Sequence, residues 1–264
     1  MEQPPPLSSP EQQASLSGTP VRSLPSRLMN VFAAPGEVFE EVKARPPVVW
    51  NWLAPALLFL LVGAVSAVVI FSRPTIQQQL RDQQAKKMDE LVKAGKMRQA
   101  DADHALEIME KFTGPTMMAA LGIVFAGAAG FIRLFWWALL LWLAARWVLK
   151  RNPGYRKMLE VAGLASMIVV LGAVVTLLLT AISGRMFMTP SLALMVNEFD
   201  VSRKSHLLLA AVNAFYLWQA IVFAVGLSKM ADVSFGRALP VVLACYVLQE
   251  LVFVFCPGMG QMAI

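Results

Sequence analysis

The chain has 264 residues, 57% of them hydrophobic and 15% charged, with a net charge of +6. Soluble domains carry roughly 45–50% apolar and about 25% charged residues, so this composition excludes a water-soluble globular domain. The Lys and Arg residues do not gather into one stripe with interleaved aromatics, which excludes a nucleic-acid surface and leaves cationic loops that orient a membrane protein.

Residues 1–25 include Pro4, Pro5, Pro6, Pro10, Pro20 and Pro25. They lack the basic and apolar regions of a signal peptide and read as a disordered tail. Ser26–Ala44 reads as two short helices divided at Pro35, which suits the first turn of the second. Leu28, Val31 and Phe32 line one; Val38, Phe39 and Val42 line the other. Amphipathic helices beside a span are expected to lie in the membrane interface plane.

Five apolar runs follow: Val48–Phe71, Pro115–Leu149 interrupted by Arg133, Leu159–Ser183, Leu207–Ser228, and Phe235–Cys256 interrupted by Glu250. A helix needs about 20 apolar residues to cross ~30 Å of hydrocarbon, and each run qualifies. The runs are continuous rather than alternating, so they predict helices and not barrel strands. The second exceeds one simple crossing and predicts a helix that projects from the membrane rather than one bent near Gly127 and Gly130. Cys245 and Cys256 are eleven residues apart (256 − 245) in the fifth run. That is ~16 Å of helical rise, beyond the ~4.4–6.8 Å Cα reach of a disulfide.

Between the first two runs, Arg73–Gly114 carries eight Lys/Arg and seven Asp/Glu. Ile76, Leu80, Met88, Leu91 and Val92 share one helical face. Ala102, Ala105, Leu106, Met109 and Phe112 share another after Gly95. This spacing predicts an extramembrane helical hairpin with a solvated charged face. The fold class is therefore all-α: a polytopic membrane bundle of about five transmembrane helices, with amphipathic N-terminal helices and that hairpin. The division reads as a tail at 1–25, a membrane domain at 26–256 with an insertion at 73–114, and a second tail at 257–264.

The loop Arg146–Lys157 has five Lys/Arg and no acid. Arg22, Arg27, Lys43 and Arg45 before the first span, and Lys229 and Arg237 between the last two, fall on the same side of a five-span chain. The opposite side holds the near-neutral hairpin, and Arg185, Arg203 and Lys204 offset by Glu198 and Asp200. The positive-inside rule then places the N-terminus in the cytoplasm and the C-terminus outside, in a bacterial cytoplasmic membrane. Small residues recur every four positions at Gly63 and Ala67, at Gly122, Ala126 and Gly130, and at Gly172, Thr176, Thr180 and Gly184. Such ladders are candidate seams of close helix packing.

Phe32-Ala-Ala-Pro35-Gly-Glu-Val-Phe39 resembles the Phe-x-x-Pro-x-x-x-Phe element that opens bacterial Yip1-domain proteins. Phe215-Tyr-Leu-Trp218, Gly226-Leu227 and Arg237-Ala238 resemble the pattern of their late helices. The resemblance covers about residues 27–256, and the five-span layout fits. The third span departs from it in lacking a proline around Ala165–Met167. The resemblance implies a non-enzymatic, multi-pass membrane protein. Eukaryotic members are linked to small GTPases and vesicle traffic, and GTPase binding is not carried over to this chain.

Motifs with catalytic shapes resolve into plainer readings. Glu40-Glu41-Val-Lys-Ala-Arg45 matches the first motif of CAAX-type intramembrane proteases, but it precedes the first span. The two histidines, His104 and His206, lie in the hairpin and at the edge of the fourth run. Asp101 and His104 share a helical face without a third ligand, so they read as a solvated surface rather than a metal site. Cys256-Pro-Gly-Met-Gly260 reads as a terminal turn. No phosphate-binding loop is present. Trp136, Trp137, Trp142 and Trp147 mark packing and the membrane interface.

No catalytic residue, cofactor or metal is expected. The expected partners are the lipid bilayer and either other membrane proteins or a second copy of the chain. The leading expectation is a scaffold, trafficking or envelope-organising role. The alternative is a small-solute transporter or channel using Arg133 and Glu250, motivated by the polar residues inside spans, Arg133, Asn213, Gln219 and Glu250, since ionisable groups inside a membrane are functional candidates by default. Arg133 lies thirteen residues before Arg146 (146 − 133) and Glu250 thirteen after Arg237 (250 − 237). Both then sit about 20 Å from the inner boundary, which makes them a candidate charge pair.

Overall fold

Hydrocarbon offers no partners for backbone N–H and C=O groups, so a spanning chain satisfies them within helices. The computed structural model follows that demand throughout the residues it describes: 22–112, 114–186, 188–196, 199–200 and 203–255. Most of the two tails, the side chains of Met109 and Phe112, Glu198, and the terminal turn at 256–260 lie outside the described residues.

The chain opens with α1 (Leu24–Ala33) and α2 (Pro35–Ala44). Then come the first long apolar helix α3 (Trp50–Phe71) and the hairpin α4 (Pro74–Lys93) and α5 (Gln99–Phe112). The second long helix is α6 (Pro115–Leu143), followed by α7 (Tyr155–Ser183), a short α8 (Lys204–Ala211), α9 (Ala214–Ala231) and α10 (Phe235–Phe255). Five of these helices are long and apolar enough to cross a membrane: α3, α6 with the turn that continues it, α7, α9 and α10. The second run is one helix without a break at its glycines. Its irregularity comes later, as a wide π turn over Ala144–Val148.

α7 is the hub. It is apolar on every side, as a helix surrounded by other helices must be, and α3, α6 and α9 all pack on it. α10 joins the bundle through α9 and α8. The hairpin turns at Gly95, whose φ of +67° suits glycine. Its Ile76, Met88 and Ala102 are buried. Arg73 Nη1 donates to the Ala181 carbonyl and Gln79 Nε2 to the Gly184 carbonyl, so α4 is tied to the C-terminal end of α7.

Two expectations are corrected. First, the apolar faces of α1 and α2 do not face lipid. Val31, Val38, Phe39 and Val42 are buried against the bundle, with α1 on α7 and α2 on α9. Amphipathic spacing shows that a face is covered, not by what. Second, the fourth run is not one helix from Leu207 to Ser228. It breaks at Val212–Asn213, where Asn213 caps α9 by accepting the Phe215 N–H at 2.9 Å. The freed backbone is paired with the preceding loop: Leu192 N–H donates to the Val212 carbonyl, and Ala214 N–H to the Pro190 carbonyl.

Candidate functional site

Two polar clusters are built into the bundle. The first surrounds Arg133 of α6. Its Nη2 donates to Gln219 Oε1 of α9 at 3.1 Å, and its guanidinium lies 4.0 Å from the Tyr216 ring centroid. Both partners come from one face of α9, three residues apart, as helical neighbours must be. Arg133, Gln219, Trp137 and Ser166 line a cavity of about 30 Å³ together with Phe59 and Gly130. The cavity sits where α3, α6, α7 and α9 converge. Arg133 Nε and Trp137 Nε1 are buried without an acceptor.

The expected contact between Arg133 and Glu250 does not form. Among the described residues no ion pair within 4.0 Å joins them, although each lies within the other's field. Glu250 instead accepts from Gln249 Nε2 at 3.3 Å, and Gln249 Oε1 accepts from Trp136 Nε1 at 2.9 Å.

The second cluster was not foreseen from the sequence. Glu160, 1% exposed near the start of α7, accepts from Asn51 Nδ2 at 2.6 Å and from the Val48 N–H at 2.9 Å. Lys157 Nζ lies 3.0 Å from its second oxygen. Asn51 Oδ1 in turn accepts from Arg27 Nη1 at 2.8 Å. Asn51 therefore links α1 to α7, donating to the acid and accepting from the base. Arg27 and Arg45 flank buried Glu41 at 3.4 and 3.5 Å. Lys157 also donates to the carbonyls of Val42 and Arg45, where α2 ends and its orphan carbonyls collect partial negative charge.

Exposed pairs rim this core. Arg22 pairs with Glu37, Lys43 with Asp232, and Lys229 with Glu40. Lys229 holds the Glu40 carboxyl below its usual range, and Lys43 does the same for Asp232. The Glu40-Glu41-x-x-x-Arg45 motif is thus divided between a surface pair and a buried one. The signals for the buried cluster were Glu160 three residues after Lys157, Asn51 at the matching start of the first span, and Arg27 within a short amphipathic helix.

The small residues lie at close crossings. A Cβ placed on Gly122 would come within 3.0 Å of Ala67 Cβ, one on Gly63 within 2.9 Å of Ala126 Cβ, and one on Gly130 within 2.7 Å of the Phe59 ring. The first two ladders therefore face each other across α3 and α6. Gly172 meets α9, where a Cβ would fall 2.9 Å from the Phe215 ring. Thr180 is buried, Thr176 is half-buried, and the Thr180 carbonyl accepts the N–H of Gly184, which ends α7 at a φ of +64°. Two tighter crossings stand outside the ladders. At Gly163 a Cβ would fall 2.2 Å from Trp52 Cα, and at Gly226 one would fall 2.3 Å from Val161 Cγ1.

Asp101 accepts two hydrogen bonds from Arg98, at 2.8 and 2.9 Å, and His104 faces Glu107. Among the described residues, no group of three or more His, Cys, Asp or Glu could hold a metal ion. Of the four tryptophans read as packing or interface residues, Trp137 is buried against Phe223 and Trp147 is exposed.

No curated protein and no solved structure matches the chain. The Yip1 domain does, over residues 29–256. That match takes in the Arg133 cluster, the second cluster apart from Arg27, α1 from Met29 onward, all of α2 and all five long apolar helices, so this multi-pass membrane protein belongs to the Yip1 domain family.

Proposed function

We propose that the chain is a non-enzymatic membrane scaffold with a trafficking or envelope-organising role, and that α1 and α2 form its partner-facing platform. The observation that carries this reading is the buried ionic seat beneath the pair. Glu160, Asn51, Arg27, Glu41 and Lys157 fix two helices against the bundle at a cost in buried charge that lipid anchoring alone would not require. The outward side of α1 still carries Met29, 67% exposed.

In this reading the platform faces the cytoplasm of a bacterial cell, the C-terminus lies outside, and residues 26–256 act as one domain with 73–114 as an insertion. Other membrane proteins or a second copy of the chain are its partners. The experiment places a photo-crosslinker at Met29 in native membranes, followed by affinity purification in mild detergent. A partner captured by the wild-type chain and lost in Glu160→Ala is expected. No partner at Met29 in the wild type would sink the platform reading.

One observation favours a second reading, a small-solute transporter or channel using Arg133 and Glu250. Both are ionisable groups on helices long and apolar enough to span a membrane, and such groups are functional candidates by default, whereas the break at Val212–Asn213 precedes the α9 span rather than interrupting it. A cavity of about 30 Å³ is far below the ~300–1,000 Å³ of ligand pockets, which weighs against organic solutes. Proteoliposome flux abolished by Arg133→Gln or Glu250→Gln would favour this reading over the scaffold.

A further inference from the structure

We propose that the basic end of the bundle binds the headgroup of an anionic phospholipid, through Arg146, Lys150 and Arg151 of the α6–α7 connection and Arg237 at the start of α10. Charge is the first reason. Every carboxylate described at this end already has a cation: Glu37 has Arg22, Glu40 has Lys229, Glu41 has Arg27 and Arg45, Glu160 has Lys157, and Asp232 has Lys43. Arg146, Lys150, Arg151 and Arg237 are exposed, and among the described residues none has a carboxylate within ion-pair distance. Cationic loops orient a membrane protein whether or not their charges are paired. Orientation alone therefore does not account for this sorting into paired and unopposed cations.

The fold gathers the unopposed ones. The π turn over Ala144–Val148 closes the end of α6. Leu149 N–H donates to the Ala144 carbonyl at 3.1 Å, and Arg151 N–H to the Ala145 carbonyl at 2.9 Å. Lys150, between them, has a φ of +55°, a conformation that residues other than glycine rarely adopt. The turn thus holds Lys150 and Arg151 at the helix end instead of letting the loop extend into water. α10 packs against the same turn and begins at the same end, with Arg237 in its first turn. Arg151 also lies within the field of Asp232, which sits in the α9–α10 turn five residues before Arg237 (237 − 232).

Aromatic side chains select the ligand class. The Arg146 guanidinium lies 5.4 Å from the Trp142 ring centroid, and Trp142 meets Tyr155 edge-on at 6.4 Å. Trp147 is 65% exposed, and Val148 and Phe235 are exposed beside the cations. Trp and Tyr concentrate at the headgroup level of a bilayer. An anionic phospholipid matches both halves of this surface: its phosphate takes charge-assisted hydrogen bonds from the cations, and its glycerol and acyl chains cover Trp147 and Phe235. A soluble anion supplies the charge without the apolar part. Basic clusters beside membrane helices recognise anionic headgroups in this way. The site does not depend on the scaffold reading, and it operates in whichever leaflet meets the basic end.

The test uses the full chain purified in a mild neutral detergent and stripped of lipid. Dioleoylphosphatidylglycerol or dioleoylphosphatidylcholine is titrated into the micelles, and native mass spectrometry counts the lipid retained on each chain. Saturable retention of phosphatidylglycerol, with phosphatidylcholine retained only weakly, is expected. Arg146→Gln and Arg237→Gln lie in different segments, and each should weaken phosphatidylglycerol retention by roughly fivefold, the worth of one cation near a membrane surface. Arg81→Gln removes an exposed cation from the hairpin at the opposite end and should titrate like the wild type. Glycerol phosphate, the headgroup without its chains, should leave the lipid bound. If Arg146→Gln disturbs the fold, the comparison of Arg237→Gln with Arg81→Gln decides. Equal retention of the two lipids would remove the headgroup selectivity, and equal titration of Arg237→Gln and Arg81→Gln would reduce the effect to net charge. Displacement by glycerol phosphate would assign the cations to a soluble anion. Any of these three results would overturn the proposal.

Discussion

Gly163 sets the approach of α3 to α7. The Asn51 carbonyl and Trp52 Cα lie where its Cβ would be, at 2.9 and 2.2 Å. Pro55 has no N–H to offer the Asn51 carbonyl four residues back, so the α3 backbone is open on this side. The clash partner is backbone rather than a flexible side-chain tip, and relief requires moving a helix. Gly163→Ala is therefore expected to destabilise the bundle by at least the ~1–3 kcal/mol typical of overpacking. Gly154→Ala, with no atom within 4 Å of the new Cβ, is the silent control. Equal thermal unfolding midpoints for the two variants would show that α3 and α7 are not locked at this crossing. Part of this chemistry was legible in the sequence. Gly63, Gly122 and Gly130 announced themselves by their four-residue spacing, because a ladder is a pattern. Gly163 and Gly226 did not, because a single glycine in an apolar run carries no pattern. Arg133 was visible as an interruption, but its partners were not. Gln219 stood out as a polar residue inside the fourth run, but nothing in the sequence joined it to Arg133, and Tyr216 is neutral and aromatic, so hydropathy passes over it. Glu160 lay inside the third run without drawing a reading of its own, although it is the most deeply buried acid among the described residues.

Among the helices, existence was easier to read than surroundings. The division at Pro35, the hairpin turn at Gly95 and the five long apolar helices follow from proline, glycine and run length. The docking of α1 and α2 does not, because the same apolar face could be covered by acyl chains or by protein. The break at Val212–Asn213 was hidden for a related reason: a window long enough to detect a span averages over one capping asparagine. The docked pair has a testable acid limb. Lys229 depresses the Glu40 carboxyl and Lys43 depresses that of Asp232. A carboxylate depressed in the folded state contributes stability that is complete above its unfolded pKa, near 4, and is lost as pH falls through the folded value. These pairs are solvent-exposed, so the effect is local loosening rather than unfolding. Amide hydrogen exchange in Val38–Val42, corrected for intrinsic rates, should be flat from pH 7 to about pH 5 and should rise below about pH 4. Lys229→Gln should flatten the part due to Glu40. Loosening that begins near neutral pH would assign the docking to other groups.

For the whole molecule the question is which end faces the cytoplasm. The geometry gathers the basic segments at one end of the bundle. Lys43 reaches Asp232, Lys229 reaches Glu40, and Lys157 reaches the carbonyls of Val42 and Arg45, so the residues before α3, the α6–α7 loop and the α9–α10 turn meet there. The hairpin is tied to the opposite end of α7 through Arg73 and Gln79. Moving that basic end across a membrane would carry the five Lys/Arg of Arg146–Lys157 with it. The bias of Lys and Arg in short loops is the main determinant of orientation, whereas acids contribute little. The near-balanced hairpin, with eight Lys/Arg and seven Asp/Glu, offers a weaker block. A reporter inserted after Asn152 should therefore register as cytoplasmic, and one inserted after Gly95 as external. The two positions are separated by a single crossing, α6, so the contrast does not depend on the later helices. Replacing Lys150, Arg151 and Arg156 with Gln should weaken the preference and leave a mixed population at both positions. The same side for both reporters in the unaltered chain would rule out α6 as a crossing, and with it the five-span arrangement.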